Sequence, residues 1–310
     1  MEKIYDIIII GSGPAGLTSA IYSKRAGLDV VVFEKDGIGG QVALTTDIRN
    51  YPGYKCIDGF ILMQNMQEQV QELNVEIKFN EIRHIIKENG LFTVKTSSKE
   101  YFAKTVVLAL GSKPRNLGLK EEKQYLGKGV GYCAICDGAF YKNKTVAVVG
   151  GGNSAFQDAI YLSNLAQKVY LIHRRHDFKA QEILINTLKG KNNVEYVLDS
   201  QVIELKGEKK LESAIIKNVE NGITKELKLD GLFVAVGHMA DTDLVDGLIK
   251  LDKSGFIEVN CDYETNLENL YAVGDCIDKK LRQIVTACAD GAIVATNINV
   301  KLKTIAKKNS

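Results

Sequence analysis

Two glycine-rich turns, each set between a short apolar strand and a helix, predict an α/β protein of two Rossmann-like, three-layer nucleotide-binding domains. If the first and last segments of the chain form one domain, the repeat at 145–175 belongs to a domain inserted into it. A Cys-x-x-Cys pair between the two turns is the third observation, and it carries the chemistry.

The chain has 310 residues, enough for about two domains. Apolar residues make up 45 % and charged residues 25 %, with a net charge of +2. That balance is ordinary for a globular protein and gives no reason to expect nucleic acid or an anionic membrane as partner. Residues 2–10 carry mixed charge and run straight into a glycine loop, unlike a secretory leader. No apolar run reaches the roughly 18 residues of a membrane span. A cytoplasmic location is therefore expected. The basic tail 301–308 reads as a solvated helix end.

Taken in order, Ile4 to Ile10 is apolar enough for a strand buried on both faces. Gly11-Ser12-Gly13-Pro14-Ala15-Gly16 follows, then a helical pattern from Leu17 to Ala26 and a strand from Val30 to Phe33. Gly11 permits the tight turn, Gly13 lets the backbone approach a pyrophosphate, and Gly16 lets helix and strand pack closely. The helix N-terminus offers N–H groups to phosphates. Glu34 closes the strand about 20 positions on, where a carboxylate accepts hydrogen bonds from ribose hydroxyls.

Residues 39–53 form a polar loop too rich in specific side chains to be a linker. Residues 60–73 read as an amphipathic helix with Phe60, Met63, Met66, Val70 and Leu73 on its core face. Residues 75–102 alternate as strands, with a turn at Asn89-Gly90, and Val106 to Leu110 is a buried strand. Pro114 and Gly118 mark a domain boundary in 112–120, and a second boundary is expected near 239–244.

The opening pattern then repeats. Thr145 to Val149 is a strand, Gly150-Gly151-Gly152-Asn153-Ser154-Ala155 is a second fingerprint, Phe156 to Leu165 is helical and Val169 to Ile172 is a strand. With Gly11 set on Gly150, Ala20-Ile21-Tyr22 falls on Ala159-Ile160-Tyr161 without a gap. The same register puts Glu34 on His173, which Arg174 and Arg175 follow. A carboxylate there favours a free ribose 2′-hydroxyl, whereas arginines favour a 2′-phosphate. The first turn should thus hold the adenosine end of a flavin dinucleotide or NAD, and the second NADP. Residues 194–236 carry short strands, 268–276 form a strand ending in Gly274-Asp275, and a helix from Ile284 to Val300 closes the chain.

Of six cysteines, only Cys133 and Cys136 are close in sequence. Three residues apart on one helical turn, they can form and reopen a disulfide, and such a pair carries two electrons. The spacing alone also suits half a zinc site or a buried structural pair. The position between two nucleotide fingerprints favours redox work, and no Cys/His cluster supports a metal. In a reducing compartment the disulfide would be catalytic or sensing. Cys56, Cys261, Cys276 and Cys288 read as packed or idle thiols.

Together these residues resemble the low-molecular-weight thioredoxin reductase family of bacteria, over essentially the whole chain. The resemblance rests on residues 11–16, Gly39-Gly40-Gln41, Asn50-Tyr51-Pro52-Gly53, Cys133-Ala134-Ile135-Cys136-Asp137-Gly138, residues 150–155, His173-Arg174-Arg175, Val273-Gly274-Asp275 and Arg282-Gln283. It implies an FAD domain from 1–114 and 243–310, an NADPH domain at 115–242, and a homodimer. It also implies that Gly40, Gln41, Asn50, Gly274, Asp275, Arg282 and Gln283 join Gly11, Gly13, Pro14, Ala15, Gly16 and Glu34 in holding FAD. Gly150, Gly152, Asn153, Ser154, Ala155, His173, Arg174, Arg175 and Lys179 are the matching NADPH set. Cys136 is then the flavin-side thiol, Cys133 attacks oxidised thioredoxin, and Asp137 moves the protons. The central domain of the family rotates about hinges, expected here near 112–118 and 239–244.

The chain departs from the family pattern at four places. Lys179 replaces an arginine, Met239-Ala240-Asp241 a proline-containing turn, Leu110-Gly111 a Thr-Gly pair, and Cys288-Ala289 an Ala-Gly pair. His176 and His238 read as surface or packing residues. Four relatives offer rival readings. These are ferredoxin-dependent thioredoxin reductases, the flavoprotein subunit of alkyl hydroperoxide reductase with its extra N-terminal domain, ferredoxin–NADP reductases without the cysteine pair, and a reductase of another small disulfide protein. A non-enzymatic redox sensor is a fifth reading.

Overall fold

The computed structural model describes residues 3–45 and 48–308. Thr46 and Asp47 of the polar loop, and the side chains of the basic tail from Ile305 on, lie outside the described residues. The chain divides into two compact units, Met1–Lys113 with Met239–Ser310, and Pro114–His238. It passes between them within two short strands, Ser112–Pro114 and His238–Ala240, which pair with each other.

The first unit is built on a seven-stranded sheet in the order Glu76–Phe79, Val30–Glu34, Ile4–Ile10, Glu100–Leu108, Leu91–Lys95, His84–Glu88. The first four strands are parallel and the last three form an antiparallel meander. Leu270–Ala272 pairs in parallel with the end of Glu100–Leu108. Ile7 and Ile9 face one core with the helices, while Ile8 and Ile10 face another with Phe33, Phe92 and Ile257. This burial on both faces is why the strand reads as an unbroken apolar run. Helices Pro14–Arg25 and Ile284–Lys308 cross at Gly291, where a Cβ would come within 2.3 Å of the Ala15 carbonyl.

The helix of the methionine stripe is Gly59–Glu72, capped by Asp58, whose carboxylate accepts the N–H groups of Phe60 and Ile61. Leu62, Met63, Met66 and Val70 are buried. Phe60, expected on the core face, is instead 60 % exposed. The buried stripe runs through Gly59, Leu62, Met63, Met66 and Val70, and Phe60 stands beside it. The strand expected at 268–276 spans only Leu270–Ala272, because Gly274 at φ +76° turns the chain out of the sheet. The last helix runs through Lys308 rather than ending at Val300. Lys301 in its tail is not simply solvated, since its Nζ pairs with Glu264 at 2.6 Å and Leu302 packs on the core.

The second unit has a five-stranded parallel sheet in the order Val194–Val197, Lys168–Ile172, Thr145–Val149, Gly231–Val234, Val130–Gly131. Helices Asn153–Ser163 and Glu182–Lys189 cover one face. The antiparallel meander Ser200–Lys206, Ser213–Asn218, Thr224–Lys228 covers the other. Each unit is therefore a layered nucleotide-binding fold of the kind the two turns predict.

Asp158, half-buried on the helix Asn153–Ser163, has its carboxyl pushed up to about 7 by burial. Its folded-state pKa lies above that of the unfolded chain, so stability falls as pH rises from about 4 through about 7. Asp158→Asn should therefore stabilise the fold by about 1–3 kcal/mol at pH 8 and much less near pH 4.5. Thermal melts of both proteins at the two pH values check this, and an equal gain at both would refute it.

Candidate functional site

The redox pair follows the strand Val130–Gly131. Cys133 is extended, at φ −139° and ψ 98°, and caps the four-residue helix Ala134–Asp137. Cys133 and Cys136 form a disulfide, with Cα atoms 5.3 Å apart. The Cys136 N–H donates to Cys133 Sγ at 3.2 Å. Gly138 ends the turn against the helix Asn153–Ser163, where a Cβ would come within 2.7 Å of the Tyr161 ring. Asp137 turns inward. One of its carboxylate oxygens lies 3.0 Å from where a Gly131 Cβ would be, beside the buried Phe233 ring. Tyr141 packs edge-on to Phe233 with centroids 5.2 Å apart. Its hydroxyl is raised by burial first and by the charge of Asp137 next.

The first glycine turn leaves the central strand of its sheet. Gly11 has φ +106°, its N–H bonds the Phe33 carbonyl, and a Cβ would lie 2.3 Å from the Ala109 carbonyl. Gly13 caps the following helix without any side-chain hydrogen bond, with Pro14 beginning the first turn. Nothing lies within 4 Å of where its Cβ would be. A phosphate could approach there, as the sequence suggests. The Glu34 carboxylate already accepts four hydrogen bonds: the N–H and hydroxyl of Ser12, and the N–H groups of Lys35 and Asp36. It therefore holds the glycine turn itself, and a ribose hydroxyl would share that carboxylate.

Other expected residues gather in the same unit. Gly39, at φ +101°, donates its N–H to the Ser12 carbonyl and starts the 3-10 turn Gly40–Leu44 that carries Gln41. Asn50 Nδ2 donates to Gln283 Oε1 at 2.9 Å, joining the early loop to the residue that precedes the last helix. Arg282 spreads its guanidinium over the Phe256 ring and donates to the carbonyls of Asp275, Ile277 and Lys279. It thus braces the loop that presents Asp275. Asp275 Oδ1 is buried with no hydrogen-bond partner among the described residues. Burial raises its carboxyl, against the pull of Lys279 and Arg282. A hydroxyl-rich group donating to this oxygen would satisfy it, and the open N-terminus at Gly13 suits a pyrophosphate, so the donor set fits a flavin dinucleotide.

Sequence reasoning missed Asp290. It is buried and accepts the Gly274 N–H, Lys279 Nζ and the Tyr263 hydroxyl at 3.0, 2.6 and 2.9 Å. The signal was present: Asp290 is the one acidic residue in a helix of 25 residues. Among the departures, Cys288 lies 3.9 Å from the Tyr51 hydroxyl, which burial and the thiol push up to about 12. Asp241 pairs with Lys35. Cys56 and Cys261 are exposed thiols and Cys276 is a buried one, raised to about 11 by burial.

The second turn repeats the first in space. Gly150 has φ +153°, its N–H bonds the Ile172 carbonyl, and a Cβ would lie 2.3 Å from the Ala235 carbonyl. Ala109 and Ala235 are equivalent, each donating its N–H to the end of the central strand, at Ile10 and Val149. The paired runs Ala109-Leu110-Gly111 and Ala235-Val236-Gly237 could have shown this in the sequence. Gly152 caps its helix with open space at its Cβ position, and Ala155 is buried behind it. The His173 ring lies on Gly151, where a Cβ would meet it at 2.3 Å, and stacks on Phe178. Burial and then the nearby arginines lower its pKa, so the ring is neutral at pH 7. Asn153 Oδ1 accepts the Gln181 N–H, and the Lys179 N–H bonds the Gly151 carbonyl. The segment 173–181 thus folds back on the glycine turn. Arg174, Arg175, Lys179 and Ser154 are exposed, and the three cations make no ion pair among the described residues. His176, also exposed, lies 3.5 Å from Asp199.

No group of three or more His, Cys, Asp or Glu able to hold a metal occurs among the described residues. No helix among them is long and apolar enough to cross a membrane.

Residues 5–291 match the family model of the pyridine nucleotide-disulphide oxidoreductases. Thioredoxin reductase of Bacillus subtilis (strain 168) is 40 % identical over 298 residues, covering 96 % of this chain and 94 % of its own. That of Mycoplasma pneumoniae is 41 % identical, covering 96 % and 95 %. The crystal structure of thioredoxin reductase from Streptococcus pyogenes is 39 % identical, covers 98 % of this chain and 100 % of its own, and superposes with a TM-score of 0.90. With a disulfide and two glycine turns disposed as above, the chain belongs to the pyridine nucleotide-disulphide oxidoreductases that use a flavin and a pyridine nucleotide, among the low-molecular-weight thioredoxin reductases.

Proposed function

We propose that this protein is an NADPH-dependent thioredoxin-disulfide reductase. The observation that carries the reading is the Cys133–Cys136 disulfide within one compact unit with a nucleotide turn flanked by exposed cations. That unit, Pro114–His238, is the NADPH domain in this reading. Met1–Lys113 with Met239–Ser310 is the FAD domain, supported by the open N-terminus at Gly13 and the orphan oxygen of Asp275. Arg174 and Arg175 take the 2′-phosphate, and Lys179 adds a point charge without a planar fork. Neutral His173 shapes the wall over Gly151.

When bound, the flavin supplies the two-electron relay between nicotinamide and disulfide. The chain's own residues do the exchange. The Cys133 thiolate attacks the disulfide of thioredoxin, forming a mixed disulfide and releasing one thioredoxin thiolate. Cys136 then attacks Cys133 Sγ, which restores the Cys133–Cys136 bond and releases the second thiolate. Asp137, beside the apolar Phe233 ring, carries protons to the leaving sulfurs. A catalytic disulfide of this kind fits the cytoplasm.

A ferredoxin-dependent reductase is the weaker reading, because the second glycine turn and its cations are intact. Anaerobic titration of the flavin-loaded protein decides between them. Near-stoichiometric NADPH should bleach the flavin, NADH should require far more, and Arg174→Ala should narrow the gap by about tenfold or more. Bleaching by a chemical reductant but by neither nucleotide would overturn the assignment. It would also turn attention to ferredoxin.

Asp137→Asn should lower kcat with oxidised thioredoxin by about a hundredfold to ten-thousandfold while NADPH still bleaches the flavin. Unchanged turnover would remove Asp137 from the proton path. Steady turnover itself separates the enzyme from a sensor.

The homodimer belongs to this reading too. Leu44 is 77 %, Phe60 60 % and Ile61 45 % exposed. The Gly59 N–H bonds the Thr45 carbonyl, which holds the start of the helix bearing Phe60 and Ile61 on the 3-10 turn that ends at Leu44. Such a patch suits a partner surface. Light scattering should give twice the chain mass, and Phe60→Glu should shift it toward one. A monomeric wild type would refute the patch as a dimer surface.

A further inference from the structure

One buried carboxylate near the disulfide has no part in the reading above. Glu122 is 3 % exposed and opens the short helix Glu122–Tyr125. Both its oxygens accept the Leu117 N–H, at 3.0 and 2.9 Å, and Oε2 also accepts the Gly118 N–H at 3.2 Å. Oε1 accepts the Tyr132 hydroxyl at 2.7 Å. Burying an acid is costly unless its acceptor sites are filled. Here the fillers come from two separate stretches of chain. Leu117 and Gly118 lie just beyond Pro114, where the chain enters this unit, and Gly118 turns at φ +82°. Tyr132 directly precedes Cys133.

The two amides alone explain a loop clasp, but not the phenol. Tyr132 is half-buried, and its ring packs on the core formed by Val130, Leu211 and Leu232. Its hydroxyl is directed to the one carboxylate that also anchors the entry segment. Burial and then Glu122 hold that hydroxyl well above its usual range, so it stays a donor at working pH. The next residue, Cys133, is extended and caps the redox helix with its sulfur. A rotation at Tyr132 would swing that sulfur directly, because no flexible residue stands between them.

We propose that Glu122 is a positioning residue for the disulfide chemistry: through Tyr132 it fixes the backbone at Cys133 and so the direction in which Cys133 Sγ meets its substrate. This rests on the reading that Cys133 is the substrate-facing thiol.

The test compares wild type with Tyr132→Phe and Glu122→Gln in the flavin-loaded protein. Three readouts are taken: flavin bleaching by NADPH, kcat and KM with oxidised thioredoxin, and the pH profile of iodoacetamide alkylation at each cysteine after reduction. Both variants should bleach at the wild-type rate. Their kcat should fall about five- to fiftyfold, and alkylation of Cys133 should slow or shift in pH. The double variant should lose no more than the worse single one, since both substitutions break one link. Tyr132→Phe removes a single hydroxyl and decides the matter if Glu122→Gln does not fold. Variants that melt earlier but keep wild-type kcat and alkylation profile would overturn the proposal, leaving Glu122 a purely structural acid. If wild-type alkylation falls on Cys136 instead, the role of Cys133 fails, and the effect of the variants on kcat still judges Glu122.

Discussion

The structure depends on one close approach, made twice. At Gly11 and again at Gly150 the chain leaves a central strand at positive φ, with a neighbouring carbonyl 2.3 Å from where a Cβ would be. Only glycine meets both conditions. The approach fixes the helix start against the end of the sheet, where open N–H groups can face phosphate. The two copies then diverge by one methyl group. At Gly16 a Cβ would lie 2.0 Å from the Gly11 carbonyl, so none is possible. The second turn is opened to φ +153°, and Ala155 fills the space next to Gly150.

On this common frame the two turns carry opposite electrostatics. In the first, Glu34 is bound to Ser12, the residue after the leading glycine. In the second, the His173 ring covers Gly151, at the same place in the repeat. A carboxylate at this point repels a 2′-phosphate, and a neutral ring followed by exposed arginines does not. The contrast was visible in the sequence as Glu34 set on His173. What the sequence could not show is that each side chain also buttresses its own turn. Replacing either residue would therefore alter turn geometry as well as charge.

Local patterns were legible because their causes are local. A strand, a glycine turn and a helix occupy one window, and the disulfide closes within one turn of chain. Long-range partners were not legible. Asp290 meets Gly274, and Glu122 meets Tyr132, through folding alone. Lys301 looked like part of a solvated tail until the fold brought Glu264 to it. Phe60 fitted the helical period but stands beside the stripe that the fold buries, which begins at Gly59 and Leu62. These errors share a cause: period and composition describe one element, while burial and pairing are decided by two.

The disulfide itself shows how backbone geometry can favour one thiol over its neighbour. The Cys136 N–H reaches Cys133 Sγ at 3.2 Å, and the extended backbone at Cys133 aims that sulfur at the start of the helix. A thiolate gains more from such a donor than a thiol or a disulfide does, which is the charge the proposed exchange requires of Cys133. Asp137 would oppose this if its charge lay along the same line. Its carboxylate instead packs toward Gly131 and Phe233. Gly131 gives that carboxylate its room, since a side chain there would meet it at 3.0 Å. In the proposed mechanism, the missing Cβ at Gly131 gives Asp137 its place and one backbone N–H faces Cys133 Sγ, so the two groups have separate tasks at the redox turn.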